Sequence, residues 1–171
     1  GSAGTIAAGD YLRVKFPSVR VAASEALQCP TLFMNGFGEH RIEGIGDKHI
    51  PWVHNVRNTD MVVAVDDEDC MRLLRLFNDP AGRKHLIAEG VDKAAVENLG
   101  LLGISGISNM LSAVKLAKYY ELGKEDIVFT IFTDSVDLYR SRLAELEAER
   151  GKYTPVQAAM DLDRRLRGAA T

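Results

Sequence analysis

With 171 residues, of which 46% are hydrophobic and 26% charged, the chain is about the size of one folded domain with a full core. Its 21 basic and 24 acidic residues give a net charge of −3 at pH 7, and no lysine-rich or arginine-rich run has interleaved aromatic residues, which argues against a nucleic-acid partner. The sequence has no membrane-length apolar run and no signal-peptide pattern, so we expect no membrane association and a cytoplasmic location. Two cysteines, Cys29 and Cys70, are too few for a disulfide framework or a zinc site.

The first five residues, GSAGT, precede a helical pattern in which Ala8, Leu12 and Phe16 share one face. Small residues let the backbone approach an anion, and the start of a helix directs free N–H groups and the positive end of its dipole toward it. The stretch therefore predicts a phosphate-binding loop. Cleavage of an expression tag also leaves Gly1 and Ser2, and that origin stays open.

Strand patterns alternate with helical patterns along the chain. Apolar runs at residues 19–24 and 61–65 predict buried strands, and residues 127–132, reading IVFTIF, give the clearest strand. The alternation favours an α/β fold, a three-layer Rossmann-like sandwich with a mostly parallel sheet. Ligands of such sheets bind beyond the carboxyl ends of the strands, where Asp134 and Ser135 stand. Alternatively, one of these two residues only caps the following helix.

Two helices have clear sequence signals. Cys70, Leu73, Leu74 and Phe77 recur at helical spacing, which predicts an apolar stripe in the core. Residues 154–157, reading TPVQ, predict a capping box with proline at the first helical position.

Residues 29–60 form a long stretch with little periodicity, and such loops are often functional. Within it, the glycines of Gly44, Ile45 and Gly46 permit a tight turn with close backbone approach to a ligand. The alternative, which spacing alone favours, is a surface loop with three apolar residues tucked into the core: Ile50, Trp52 and Val53.

The segments GSAGT, EGIGDKHIP, GISG and FTDS occur in this order over residues 1–142. Together they resemble the second half of the fold type II pyridoxal-phosphate enzymes, the cysteine synthase and cystathionine beta-synthase group. The resemblance places the cofactor phosphate at five residues: Gly1, Ser2, Ala3, Gly4 and Thr5. It places Gly44, Ile45 and Gly46 near the cofactor ring and the Ser135 hydroxyl on the pyridine nitrogen.

The resemblance implies a pyridoxal-phosphate-dependent lyase or transferase of amino-acid metabolism, a homodimer in its intact form. Its expected reaction is β-elimination or β-replacement on serine or an O-activated serine. A neutral Ser135 suits α-proton removal coupled to loss of a β-substituent, because no opposite charge raises the pKa of the ring nitrogen. If the Asp134 carboxylate faces the ring instead, its negative charge raises the pKa of the ring nitrogen, and the argument for loss of a β-substituent no longer holds.

The lysine that forms the Schiff base belongs to the first half of the family, and no lysine here stands in a matching context. We therefore expect residues 1–171 to form a single α/β domain, a fragment of a two-domain enzyme. It would carry the phosphate-binding half of the cofactor site, contain no catalytic residue and be inactive by itself.

Other functions stay open from the sequence. One is an amino-acid dehydratase of the same family, and another is a non-catalytic Rossmann-like module that binds a phosphorylated ligand. A third is an interaction domain that uses the helix at residues 136–150. The sequence has no G-x-G-x-x-G dinucleotide fingerprint, which argues against NAD as the ligand. His49 and His54 lie near acidic residues, but their spacing favours structural histidines, and we expect no metal site.

Overall fold

The computed structural model describes residues 2–168, with the side chains of Ser2 and Ala3 left out. Two strands lie among the helices: β1 (Ala22–Ala26) and β2 (Met61–Val65). The α-helices, in chain order, are α1 (Ala7–Lys15), α2 (Thr31–Met34), α3 (Asp67–Asn78), α4 (Pro80–Ala88), α5 (Lys93–Asn98), α6 (Ile104–Tyr119), α7 (Arg140–Arg150) and α8 (Pro155–Leu162). Short 3₁₀ turns cover Val56–Asn58, Leu99–Leu101 and Val136–Tyr139, and π-helical turns cover Ser2–Ile6 and Asp163–Arg167.

The two strands pair in parallel, with Ala22 opposite Met61 and Ala26 opposite Val65. This confirms an α/β fold with a parallel sheet and places β2 where the sequence predicts it. The first strand begins later than predicted, because the Asp60 carboxylate accepts the Val21 N–H at 2.7 Å in place of a neighbouring strand.

Helices cover both faces of this sheet. The Ser24 hydroxyl contacts Ser112 on α6 at 2.7 Å, whereas the adjacent Ala23 packs with Ile6 at the start of the first helix. Successive strand residues point to opposite faces, so α6 and the first helix lie on opposite sides. The result is the expected order of helix, sheet and helix.

The main core lies around α3, whose predicted apolar stripe is confirmed. Cys70, Leu73 and Leu74 are fully buried, and Phe77 is nearly so. Helix α3 contacts α4, α6, α7 and α8, so its stripe is covered from several directions. The predicted capping box at Thr154 and Gln157 is also present and starts α8.

The prediction of a strand at residues 127–132 is wrong for the described structure. This segment has irregular backbone and pairs with neither β1 nor β2. The sequence pattern specifies a backbone that needs a neighbouring strand, and none of the described residues supplies one. The helix predicted after it begins as a 3₁₀ turn, Val136–Tyr139, before α7.

Candidate functional site

The turn at residues 42–45 has the glycine-dependent shape that the sequence predicts. The Ile45 N–H donates to the Ile42 carbonyl at 3.2 Å, and Gly44 has a φ of 84°. Gly46 has a φ of 116°, and a Cβ atom there would collide with the His40 ring. Both glycines therefore adopt a conformation that side chains disfavour. Ile45, between them, packs against the main core.

The three apolar residues after this turn contradict the core-packed interpretation. Ile50, Trp52 and Val53 are all exposed, and Trp52 is fully so. Irregular backbone positions this part of the loop, so no helical or strand face turns these side chains inward.

The start of α6 lies beside the turn and joins it to the segment at residues 133–135. A Cβ atom on Gly44 would lie 4.0 Å from the Ser105 Cβ. The Ser105 hydroxyl is 3.1 Å from that of Thr133, and the Gly103 N–H donates to the Asp134 carbonyl at 2.9 Å. Three segments that are far apart in sequence therefore meet at one place.

Asp134 and Ser135, which the sequence left as alternatives, have different environments. The Tyr139 hydroxyl donates to Asp134 Oδ2 at 2.7 Å, while Oδ1 is buried against Gly103 without a hydrogen-bond partner. Burial, followed by the hydrogen bond to Asp134, raises the pKa of Tyr139. Ser135 caps the 3₁₀ turn, accepting the Asp137 N–H at 3.3 Å. Asp134 is thus engaged within the protein, and Ser135 has the capping role that the sequence allowed.

An ion pair links the turn to α7. Arg142 Nη2 donates to Glu43 Oε1 at 2.8 Å, and Arg142 Nη1 also binds Glu145 at 2.7 Å. The hydrogen bond to Glu43 is the main cause that raises the pKa of Arg142. Sequence reasoning missed this pair because Glu43 and Arg142 are 99 positions apart and no local spacing relates them.

The proposed phosphate-binding residues lie at the start of the chain, where Gly1 is outside the described residues. Ser2–Ile6 forms a π-helical turn that continues into α1, so the described part of this segment is helical and not the predicted loop. Gly4 and Thr5 are exposed, and a Cβ atom on Gly4 would meet open space.

The contacts of α1 show which way it points. Arg13 pairs with Asp60 before β2, a Cβ atom on Gly9 would meet Val21, and Ile6 packs with Ala23 inside β1. Helix α1 therefore runs antiparallel to β1. Its first turn points toward the edge where the strands end.

The turn at residues 42–45 lies at that same carboxyl edge. The Arg41 N–H donates to Asp67 at 2.9 Å, directly after β2, and the Thr31 hydroxyl, after β1, donates to the Asp47 carbonyl. Since Ser105 adjoins Gly44, α6 also begins at this edge. Ligands of open parallel sheets bind at such an edge.

Of the two histidines considered as metal ligands, His54 has a side-chain partner, because its Nε2 lies 2.9 Å from the Thr59 hydroxyl. His49 contacts Asp47 through its backbone N–H, which donates to the carboxylate at 3.3 Å. Among residues 2–168, no group of three or more potential metal ligands comes together. Within the same residues, no helix is long and apolar enough to span a bilayer.

The fold and the position of the motifs define the class: an α/β protein with a parallel sheet whose candidate ligand site lies at the carboxyl edge of the strands. Within that class, O-acetylserine dependent cystathionine beta-synthase of Bacillus subtilis is 31% identical over 147 residues, which are 83% of this chain and 40% of that protein. Cysteine synthase B of Campylobacter jejuni is 29% identical over 142 residues, 82% of this chain and 40% of the relative. No family model matches the chain.

A solved structure shows a similar fold over a larger part of this chain. The hydrogen sulfide-producing enzyme of Fusobacterium nucleatum superposes with a TM-score of 0.62 at 26% identity, over 94% of this chain and 42% of that one. The chain is therefore related to the pyridoxal-phosphate enzymes of fold type II, and it resembles the C-terminal half of cysteine synthase and cystathionine beta-synthase. It spans about 40% of the length of the relatives that it matches.

Proposed function

We propose that this chain supplies the phosphate-binding part of a pyridoxal-phosphate site in an enzyme of β-replacement or β-elimination on a serine-type amino acid. The observation that carries the proposal is the meeting of the residue 42–45 turn, the start of α6 and residues 133–135 at the carboxyl edge. Each of these segments contains one of the motifs on which the family resemblance rests. The relatives named above support the reaction class.

The residues fit the cofactor at its two ends. For the ring nitrogen we assign the Ser135 hydroxyl, which accepts a long bond from the Asp137 N–H at 3.3 Å and donates one to Asp137 Oδ2, with 3.5 Å between the two oxygens. A hydroxyl can both accept and donate, so its proton can be directed at a pyridine nitrogen. Asp134 supports this assignment, because its carboxylate is already held by Tyr139.

At the phosphate end, the proposed ligands are Gly1, Ser2, Ala3, Gly4 and Thr5. The start of α1 directs its helix dipole toward the carboxyl edge, which favours a phosphate there. Gly44, Ile45 and Gly46 would lie beside the ring. The positive φ of both glycines lets backbone, without side chains, form that wall.

Bound pyridoxal phosphate supplies an electron sink for the α-carbon of an amino acid. The protein's contribution at the ring nitrogen is a neutral hydroxyl. Ser135 orients the ring without adding the opposite charge that raises the pKa of the nitrogen. Moderate electron withdrawal favours loss of a β-substituent after α-proton removal, which is why we infer β-chemistry.

The remaining expectations apply to the whole protein and stay predictions: a homodimer, a cytoplasmic location and a catalytic lysine outside this chain. We also infer that residues 1–171 form a single domain. The main core supports this, because residues from Ala26 to Leu162 contribute to one cluster of buried side chains.

Binding of pyridoxal phosphate to the purified chain tests the proposal, followed by cofactor absorbance and by nuclear magnetic resonance. We expect Ser135→Ala to change the absorbance of the bound cofactor and Ser135→Thr to restore it, because threonine keeps the hydroxyl. Ser141→Ala, at an exposed serine of α7, is the matched control and should change nothing.

Two outcomes would contradict the proposal. Because the catalytic lysine is expected outside this chain, we expect binding to the chain alone to be weak. If neither pyridoxal phosphate nor inorganic phosphate shifts the amide resonances of Gly4 and Thr5, the chain does not form this part of the site. If cofactor and inorganic phosphate compete for one site but Ser135→Ala changes neither spectrum nor affinity, the ring is not recognised, and a module for phosphorylated ligands replaces the enzyme.

A further inference from the structure

Two charged residues flank Ile42 at the start of the turn at residues 42–45, and each pairs with a different helix. Arg41 binds the Asp67 carboxylate at the start of α3 at 3.0 Å. Glu43, on the other side of the fully buried Ile42, accepts a hydrogen bond from Arg142 in the first turn of α7 at 2.8 Å. The turn is therefore held toward α3 on one side and toward α7 on the other.

The link to α7 connects the turn to the segment that carries Ser135. Ser135 caps the 3₁₀ turn Val136–Tyr139, which leads directly into α7. Within residues 2–168, the bond from Arg142 to Glu43 is the only hydrogen bond between the turn at residues 42–45 and residues 133–150. Apolar packing is non-directional, so this bond is the contact suited to fix the position of the turn relative to Ser135.

The two partners of this bond depend on each other. Glu43 Oε2 and Arg142 Nε are buried and, among the described residues, have no hydrogen-bond partner. Loss of either side chain would leave further polar atoms of the other without a partner. Arg142 is also held by Glu145 at 2.7 Å, but that bond lies within α7 and orients the guanidinium without touching the turn.

The charge of Glu43 reaches the residue that holds Asp134. Burial is the main cause that raises the pKa of Tyr139, followed by its hydrogen bond to Asp134, and the negative charge of Glu43 adds to both. Glu43 therefore lies close enough to Tyr139 for electrostatic interaction. The ion pair thus stands beside the contact that keeps Asp134 engaged within the protein.

We propose that Glu43 and Arg142 are positioning residues, which set the distance between the backbone of Gly44 and Gly46 and the hydroxyl of Ser135. The two glycines have no side chains with which to fix their own position. This inference rests on the proposed function, in which the glycine backbone lies beside the cofactor ring and Ser135 meets the ring nitrogen. The pair itself touches neither cofactor nor substrate.

A positioning role differs from a general stabilising role in what it changes. Both side chains keep part of their surface in water, 32% for Arg142 and 41% for Glu43. Pairs of this kind contribute little to global stability. We therefore expect loss of the pair to loosen the turn locally while the unfolding temperature of the chain stays nearly the same.

Hydrogen exchange of the Ile45 amide tests this without a ligand, because that amide closes the turn on the Ile42 carbonyl. Glu43→Ala and Arg142→Ala should each speed its exchange about fivefold. The double variant should exceed neither single one, because both remove the same bond. Glu145→Ala is the matched control. It removes the other carboxylate bound to Arg142 and should leave the exchange rate unchanged.

Binding of pyridoxal phosphate gives the second measurement, followed by the amide resonances of Gly44 and Gly46. Arg142→Ala should weaken binding about fivefold, and Arg142→Lys should restore most of it, because lysine keeps a positively charged donor. Glu145→Ala should bind the cofactor like the original chain. Inorganic phosphate, which has no ring, should bind the original chain and Arg142→Ala equally.

Several results would overturn the proposal. They are an unchanged Ile45 exchange rate in Arg142→Ala, additive effects in the double variant, and equal effects of Arg142→Ala and Glu145→Ala. Cofactor binding as tight in Arg142→Ala as in the original chain would also overturn it, while leaving the proposed function intact. If the original chain does not bind pyridoxal phosphate, the proposed function fails, and the exchange rates still decide whether the pair positions the turn.

Discussion

Helix α3 and residues 127–132 both have clear apolar patterns, yet the apolar residues of α3 lie in the core and most of those at 127–132 are exposed. Leu73 and Leu74 of α3 are fully buried, whereas Ile127 and Phe129 are mostly exposed. A helix bonds its own backbone and needs only its apolar stripe covered, which α6 and α8 do here. A strand needs a neighbour for its backbone as well as cover for both faces. Within the described structure, apolar side chains are therefore covered in α3 but not at residues 127–132.

The largest expected effect comes from truncating equivalent apolar side chains in the two regions. Leu74→Ala should lower the free energy of unfolding by about 2–5 kcal/mol, because it leaves a cavity in the core. Phe129→Ala should change it by less than about 0.5 kcal/mol, since the ring is exposed. Urea denaturation of both variants measures the difference. Similar losses would mean that residues 127–132 are packed in solution, which would contradict this difference between the two regions.

The next largest effect on stability is expected at Gly103, which precedes α6 and lies against Asp134. A Cβ atom on Gly103 would collide with the Asp134 carboxylate and lie 2.9 Å from the Tyr139 ring. Gly103→Ala should therefore cost about 1–3 kcal/mol of unfolding free energy. Gly4→Ala is the control, because its Cβ meets open space and alanine favours a helical turn. Thermal unfolding of the two variants should move in opposite directions, and a parallel shift would argue against this packing.

Acid should weaken the region around α3 through Glu68. Burial alone would raise the pKa of Glu68, but hydrogen bonds from Arg150, Arg41 and Arg72 lower it to about 2. Glutamate in an unfolded chain has a pKa of about 4.3, so this contribution is complete above about pH 5 and is lost as pH falls toward 2. Allowing for solvent screening, we expect about 1–2 kcal/mol.

Urea denaturation at pH 7 and pH 3 isolates this contribution. Glu68→Gln should lower stability at pH 7 and make it less sensitive to acid than that of the original chain. Glu97→Gln, whose pair with Lys93 is exposed, is the control and should retain the full acid sensitivity. If both variants behave alike, the arginines do not stabilise the ionised Glu68.

The smallest effect concerns the hydrogen bond from Tyr139 to Asp134, just after residues 127–132. Tyr139→Phe removes the hydroxyl that donates to Asp134 and should cost about 1 kcal/mol. The folded protein holds this tyrosine proton more tightly than the unfolded chain does, so the contribution is present below about pH 10 and is lost above it. Ultraviolet titration should lose one late-ionising tyrosine in the variant. An unchanged titration would show that Tyr139 ionises normally and that Asp134 is free to face a ligand.

Local signals predicted the features whose cause is local. The capping box at Thr154 and the positive φ of Gly44 depend on neighbouring residues, and both are present. The contacts that join separate segments had no such signal. Ser105 with Thr133, and Glu43 with Arg142, meet only after the chain has folded. Thus the motifs of the candidate site were visible, but their meeting at one edge was not.

By itself, the sequence determined the α/β class, the buried stripe of α3, the strand β2, the glycine turn and the resemblance to fold type II enzymes. These depend on periodicity, turn chemistry and short motifs, which act over a few residues. Only the tertiary structure decided that Asp134 is held by Tyr139, that Ser135 caps a turn, and that residues 127–132 lie unpaired. Those outcomes depend on which partners surround a residue, and a strand, unlike a helix, cannot complete its hydrogen bonds alone.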